Sequence, residues 1–102
     1  KVTFLFNAEA VRTNIHTGPA DFVFHGYVGV HYLYNNGNGI TDASNLNTDV
    51  TFTENKGANK EYVRAKQWLT AKISYVGDIY YFGNPDSVVH EGTGNGKLIK
   101  AD

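Results

Sequence analysis

The stretch DFVFHGYVGVHYLY, Asp21 to Tyr34, alternates for fourteen residues. Phe22, Phe24, Val28, Val30, Tyr32 and Tyr34 fall on one side of an extended chain. Val23, His25, Tyr27, His31 and Leu33 fall on the other. Side chains of a strand alternate between its two faces, so a period of two is a strand pattern that a helix cannot use. Fully extended, the segment would span roughly 45 Å, longer than most strands. Gly26 and Gly29 interrupt it, and Gly inside a strand marks a bulge, a bend or a break. The pattern predicts either two strands or one long strand bent between two sheets.

Most of the chain repeats this period. KVTFLF sets Val2, Phe4 and Phe6 against Thr3 and Leu5, and DVTFTE (Asp49 to Glu54) points Val50 and Phe52 one way. NAEAVRTNIHTG reads as strand or coil up to a turn at Gly18-Pro19, because Thr13, Ile15 and Thr17 alternate. YVRAKQWLTAKISYV fits a helical stripe (Tyr62, Ala65, Leu69) or strand faces, with β-branched and aromatic residues favouring strand from Trp68. Asn35 to Asp49 reads as a long amide-rich loop, ENKGANKE as a hairpin connection and Gly77-Asp78 as a tight turn. Gly83 to Asp86 is another turn, and SVVHEGTGNGKLIK a last hairpin. Six to eight short strands with turn signals and no internal repeat predict one all-β domain, residues 1–102: an antiparallel β-sandwich, Ig-like or carbohydrate-binding-module-like, with a barrel as the alternative. Its expected core is Val2, Phe4, Phe6, Phe24, Val28, Val30, Phe52, Leu69, Ile73 and Phe82.

Composition excludes several functions. There is no Cys, hence no disulfide, thiolate metal site or thiol catalysis. Nine basic and ten acidic residues are spread without blocks, unlike a nucleic-acid groove or a polybasic membrane patch. No apolar run approaches the roughly 20 residues of a membrane-spanning helix. The chain begins at Lys1 and contains no Met, which reads as a removed leader or an excised piece, and the expected location is secreted or extracellular.

Four histidines are present. His25 and His31 would lie roughly 20 Å apart along a strand, too far to share an ion, and are expected as half-exposed strand residues. No nucleophile elbow, phosphate loop or zinc-protease signature occurs. Glu9, Glu54, Glu61 and Glu91 could pair as glycosidase carboxylates, but a chain this short leaves little room for a cleft, so no enzyme is expected. Asp42, Asn45, Asn47 and Asp49 offer oxygens suited to Ca²⁺ without the spacing of a known calcium loop. No cofactor is expected, calcium being the one candidate.

Aromatic residues run into amides twice, at YLYNNGNG and at DIYYFGNPD. Rings can stack on the apolar face of a sugar while Asn and Asp bind its hydroxyls. That chemistry selects Tyr32, Tyr34, Asn35, Asn36, Trp68, Tyr80, Tyr81, Asn84 and Asp86 as a candidate ligand site. If loops gather at one end of a sandwich, Tyr34 and Tyr80 or Tyr81 would flank it.

YNNGNGITD (Tyr34 to Asp42), with Glu61-Tyr62, Ala65 and Trp68, resembles the C-terminal part of the small fungal immunomodulatory proteins. GVHYLY and YVRAKQ are similar to fragments of the fungal fruit-body lectins. Both resemblances imply a glycan-binding sandwich and assign no residue a role. The leading expectation is non-catalytic carbohydrate binding to a glycan or polysaccharide. The alternative is a secreted protein-interaction domain (an effector, inhibitor or adhesin subunit) using the same Tyr-rich surface, since Tyr and Trp also dominate protein interfaces.

Overall fold

The computed structural model describes residues 2–16 and 21–101. Eight strands follow one another: β1 (Val2–Ile15), β2 (Phe22–Asn35), β3 (Thr41–Asn55), β4 (Glu61–Arg64), β5 (Trp68–Ile73), β6 (Ile79–Phe82), β7 (Ser87–Glu91) and β8 (Leu98–Lys100). Every pairing between them is parallel. Val2 pairs with Phe22, Phe22 with Thr41, Thr41 with Glu61, Glu61 with Ile79 and Ile79 with Leu98. The chain therefore returns to the same place every 18 to 20 residues and winds as a β-solenoid of about five turns.

This overturns the antiparallel sandwich, the barrel and the absence of a repeat. Alternation fixes that a segment is extended; it does not fix the direction of its neighbour. A parallel pair ordinarily needs a crossover of a dozen or more residues. Here the crossover is the rest of the coil, and what remain are short corners that look like hairpin turns. Residues 56–60, 74–78 and 92–97 are such corners, so none of them closes a hairpin. The supposed loop Asn35 to Asp49 is mostly strand, because β3 starts at Thr41.

One eight-stranded parallel sheet branches at β3 and forms two sides, sheet A and sheet B. Sheet A takes the first parts of β1, β2 and β3, then β4, β6 and β8. Sheet B takes the last parts of β1, β2 and β3, then β5 and β7. β2 serves both sides, and within it Gly26 has a φ of 109°, which suits a residue without Cβ. A register shift falls between Val23 and His25, before Gly26 rather than at it, and β2 continues as one strand through Gly29. Gly18-Pro19 and Thr17 lie outside the described residues.

Inward positions fill the coil. Phe24, Val28, Leu33, Leu46, Leu69, Ile73 and Ile79 are fully buried. Of the expected core, Phe24, Val28, Leu69 and Ile73 belong to it; Val30, Phe52 and Phe82 are outward and half-buried, Phe6 packs on its edge, and Phe4 is 38% exposed. The side chain of Val2 lies outside the described set. A sandwich strand buries one face, whereas a solenoid decides burial by the coil's interior, which also admits polar rungs. Asn35 and Asn55 pair in register and are buried, and their Oδ1 atoms accept the N–H of Gly37 and Gly57, each at 3.0 Å.

His31 is buried rather than half-exposed. It lies edge-on to Phe24, with Nε2 3.1 Å from Thr13 Oγ1. Burial disfavours the imidazolium and pulls its pKa down to about 4. A depressed pKa contributes stability that is complete above the ordinary value of 6.5 and is lost as pH falls through about 4. In a pH series followed by NMR, the His31 ring is expected to stay neutral down to about pH 4. A midpoint near 6.5 would show an open, hydrated ring.

Candidate functional site

Side chains that alternate along β2, β3 and β5 stack across sheet B into outward columns. One runs Ala10, Val30, Val50, Trp68, Ser87; the next Arg12, Tyr32, Phe52, Thr70, Val89; the third Asn14, Tyr34, Glu54, Lys72, Glu91. Parallel strands lie about 4.8 Å apart, so like residues on successive turns meet face to face. The Tyr32 and Phe52 rings stack with centroids 5.3 Å apart and 7° between planes. The Arg12 guanidinium covers both Tyr32 and Tyr34, at 5.9 and 5.6 Å. Trp68 is 42% exposed, and its indole N–H donates to Thr70 Oγ1 at 2.7 Å, which holds the ring along the face. Lys72 pairs with Glu54 at 3.7 Å, and the Ser74 hydroxyl donates to the same carboxylate oxygen at 3.0 Å. The result is a flat apolar and aromatic strip with charged edges.

A hollow of about 230 Å³ adjoins this strip, lined by Asn14, His16, Tyr34, Asn35, Asn36, Glu54 and Lys56. A second, of about 330 Å³, lies at the corner between the sheets, where Tyr27, Asn47, Asp49, Arg64 and Lys66 meet. There the Tyr27 hydroxyl donates to Asp49 Oδ2 at 2.7 Å, and that bond raises its pKa. Among the described residues, no three of His, Asp and Glu gather as a metal-binding group. Asp42, Asn45, Asn47 and Asp49 are spread along β3 rather than wrapped around a point.

The structure unites only part of the expected site. Tyr32, Tyr34 and Trp68 share the outer face of sheet B, and Asn36 borders it in the adjoining hollow. Asn35 points inward and holds the corner backbone. Tyr80 lies on sheet A, stacked on Tyr62 at 5.2 Å, while Tyr81 packs against the core. Asn84 and Asp86 are exposed at the corner between β6 and β7, where Asn84 Oδ1 accepts a hydrogen bond from Lys100 Nζ at 3.0 Å. That corner follows sheet A, whereas Asn36 follows sheet B, so the two aromatic-to-amide stretches occupy different corners. Sequence reasoning missed Arg12, Val30, Val50 and Phe52. Their signal was the offset of 18 to 20 residues that aligns Arg12, Tyr32, Phe52 and Thr70.

A coil of parallel strands with this spacing matches a known domain. Residues 2–85 fit the profile of a family described as "Putative auto-transporter adhesin, head GIN domain". The chain belongs to this family. Its fold is that of a crystal structure described as a "putative adhesin" from Bacteroides fragilis, with a TM-score of 0.80 and 22% identity over 92% of this chain. The chain spans 42% of that protein's length. No curated protein matches the sequence. The head GIN match replaces both fungal resemblances. With them goes the basis for reading the chain as a lectin or a carbohydrate-binding sandwich: YNNGNGITD is a solenoid corner whose Asn35 side chain holds Gly37, and YVRAKQ carries the end of strand β4, with Tyr62 stacked on Tyr80.

Proposed function

We propose that this head GIN domain is a non-catalytic binding domain of an adhesin-type protein, exposed outside the cell, that docks a partner protein on the outer face of sheet B. One observation carries the reading: Trp68, Phe52, Tyr32 and Tyr34, with Val30 and Val50, form one continuous apolar strip on a sheet whose backbone is locked by its ladders. Rigid aromatic rings lose little entropy on binding and are the usual anchors of protein interfaces, and Arg is enriched beside them. The family description supports adhesion and, with it, a location outside the cell. No helix among the described residues is long and apolar enough to cross a membrane.

Beads coated with the chain test this by their adherence to a layer of cells or matrix. Mild protease treatment of the layer is expected to abolish adherence, and periodate oxidation of its glycans to leave it. Trp68→Ala with Tyr34→Ala is expected to weaken binding by roughly tenfold or more, about 1.4 kcal/mol. The pair should cost only about 1 kcal/mol of stability, because both rings face outward. Adherence that resists protease and yields to periodate, or that survives the double variant, defeats the proposal.

A further inference from the structure

The chain holds three Asn-Gly pairs: Asn36-Gly37, Asn38-Gly39 and Asn95-Gly96. Asn-Gly is the sequence in which a backbone nitrogen most readily attacks the preceding side-chain amide, since Gly has no Cβ to hinder the approach. The glycine nitrogen bonds to the Asn Cγ, the Cγ–NH₂ bond breaks, and the displaced nitrogen leaves as ammonia carrying the backbone proton. Water then opens the cyclic imide on either side, giving aspartate or isoaspartate. The attacking N–H must be free.

The fold treats the three pairs differently. The Gly37 N–H donates to Asn35 Oδ1 at 3.0 Å, inside the buried Asn rung. The Gly96 N–H donates to Tyr75 O at 3.0 Å, between successive coil corners. The Gly39 N–H has no acceptor among the described residues. The Asn38 side chain is exposed and its amide makes no hydrogen bond there; only its backbone carbonyl is engaged, accepting from Asn59 Nδ2 at 3.3 Å. We propose that Asn38 is a self-modifying site, converting spontaneously to aspartate or isoaspartate while the coil slows the same reaction at Asn36 and Asn95. Conversion adds a negative charge to the corner between β2 and β3. In the isoaspartate form the main chain runs through the Cβ methylene, and the carbonyl that accepts from Asn59 of the next turn leaves it as the free carboxylate.

Incubating the folded chain at mildly alkaline pH, then sequencing its peptides by electron-transfer mass spectrometry, tests this. Asn38 is expected to react first, with Asn36 and Asn95 slower by roughly tenfold, as when attack requires loss of one backbone hydrogen bond. In urea the three sites are expected to converge on similar rates. Gly39→Ala should suppress the reaction at Asn38. Reaction of Asn36 or Asn95 as fast as Asn38 in the folded chain would overturn the proposal. So would a folded chain that stays intact while the denatured chain reacts.

Discussion

Gly77→Ala is expected to destabilise the chain by roughly 3 kcal/mol or more, at the upper end of overpacking costs. Gly37, Gly57, Gly77 and Gly96 follow one another up one corner, and a Cβ on any of the last three would run into the backbone of the turn below. At Gly77 it would lie 2.7 Å from Gly57 O and 2.8 Å from Asn55 Nδ2, and closer still to Asn59 O. The Gly77 N–H donates to Gly57 O at 3.1 Å, so pushing the turns apart breaks the contact that stacks them. Backbone atoms on a regular coil cannot step aside as a flexible side chain can. Domains of this size are stable by about 5–15 kcal/mol, so the loss is a large share. Ala58→Gly, exposed in the same corner, is the control and is expected to cost about 1 kcal/mol or less. Urea unfolding of both variants decides. A Gly77→Ala midpoint equal to that of the parent would mean the corner is looser than this stack.

Glu61→Gln is expected to make the chain more stable at pH 8, by about 3 kcal/mol at most. Glu61 is 0% exposed, at the start of β4, where the turns below and above place Thr41 and Ile79. Thr53 Oγ1 donates to its Oε1, and Oε2 has no hydrogen-bond partner. Asn35 lies near enough to favour the charged form slightly, but its amide donates to Thr41 Oγ1 at 3.2 Å. Burial dominates and pushes the carboxyl up to about 7. For an acid with a raised pKa, the folded state holds the proton longer than the unfolded chain does. Stability is therefore undiminished below the ordinary value of 4.5, falls as pH rises toward 7, and stays reduced above it. Gln keeps the acceptor for Thr53, fills the place of Oε2 and cannot ionise, so its profile should lack this limb. Unfolding free energies of both chains between pH 5 and pH 8 give the test. Parallel curves would show that Glu61 is hydrated or paired at neutral pH. His31 acts in the opposite sense at the acidic end, so both buried groups are neutral together only between about pH 4 and about pH 7.

Much of this molecule was legible residue by residue. Alternation along Phe22 to Tyr34 located β2, and β-branched and aromatic content from Trp68 located β5. Tyr32, Tyr34 and Trp68 were singled out as outward rings, and they lie on one face. What failed was every inference about neighbours. Asn35 was chosen as a sugar-reading amide because it follows the rings of YLYNNGNG; the coil instead buries it to hold Gly37. Tyr80 and Asn84 were joined to Tyr34 on the geometry of a sandwich end, which this chain does not have.

The reason is physical. A strand's period is a property of one segment, set by backbone sterics, and the sequence alone determines it. Strand direction, register and burial belong to pairs of segments. In a solenoid, the pairing demands apolar residues or hydrogen-bonded polar ones inward, and glycine where corners touch. Gly37, Gly57, Gly77 and Gly96, with Asn35 and Asn55, are the visible trace of that demand. Between those positions the residues change from turn to turn, because outward side chains face solvent and are free to differ. Only the stacked structure brings Arg12, Tyr32 and Phe52 from three turns into one row, because that contact exists across the coil and not along the chain.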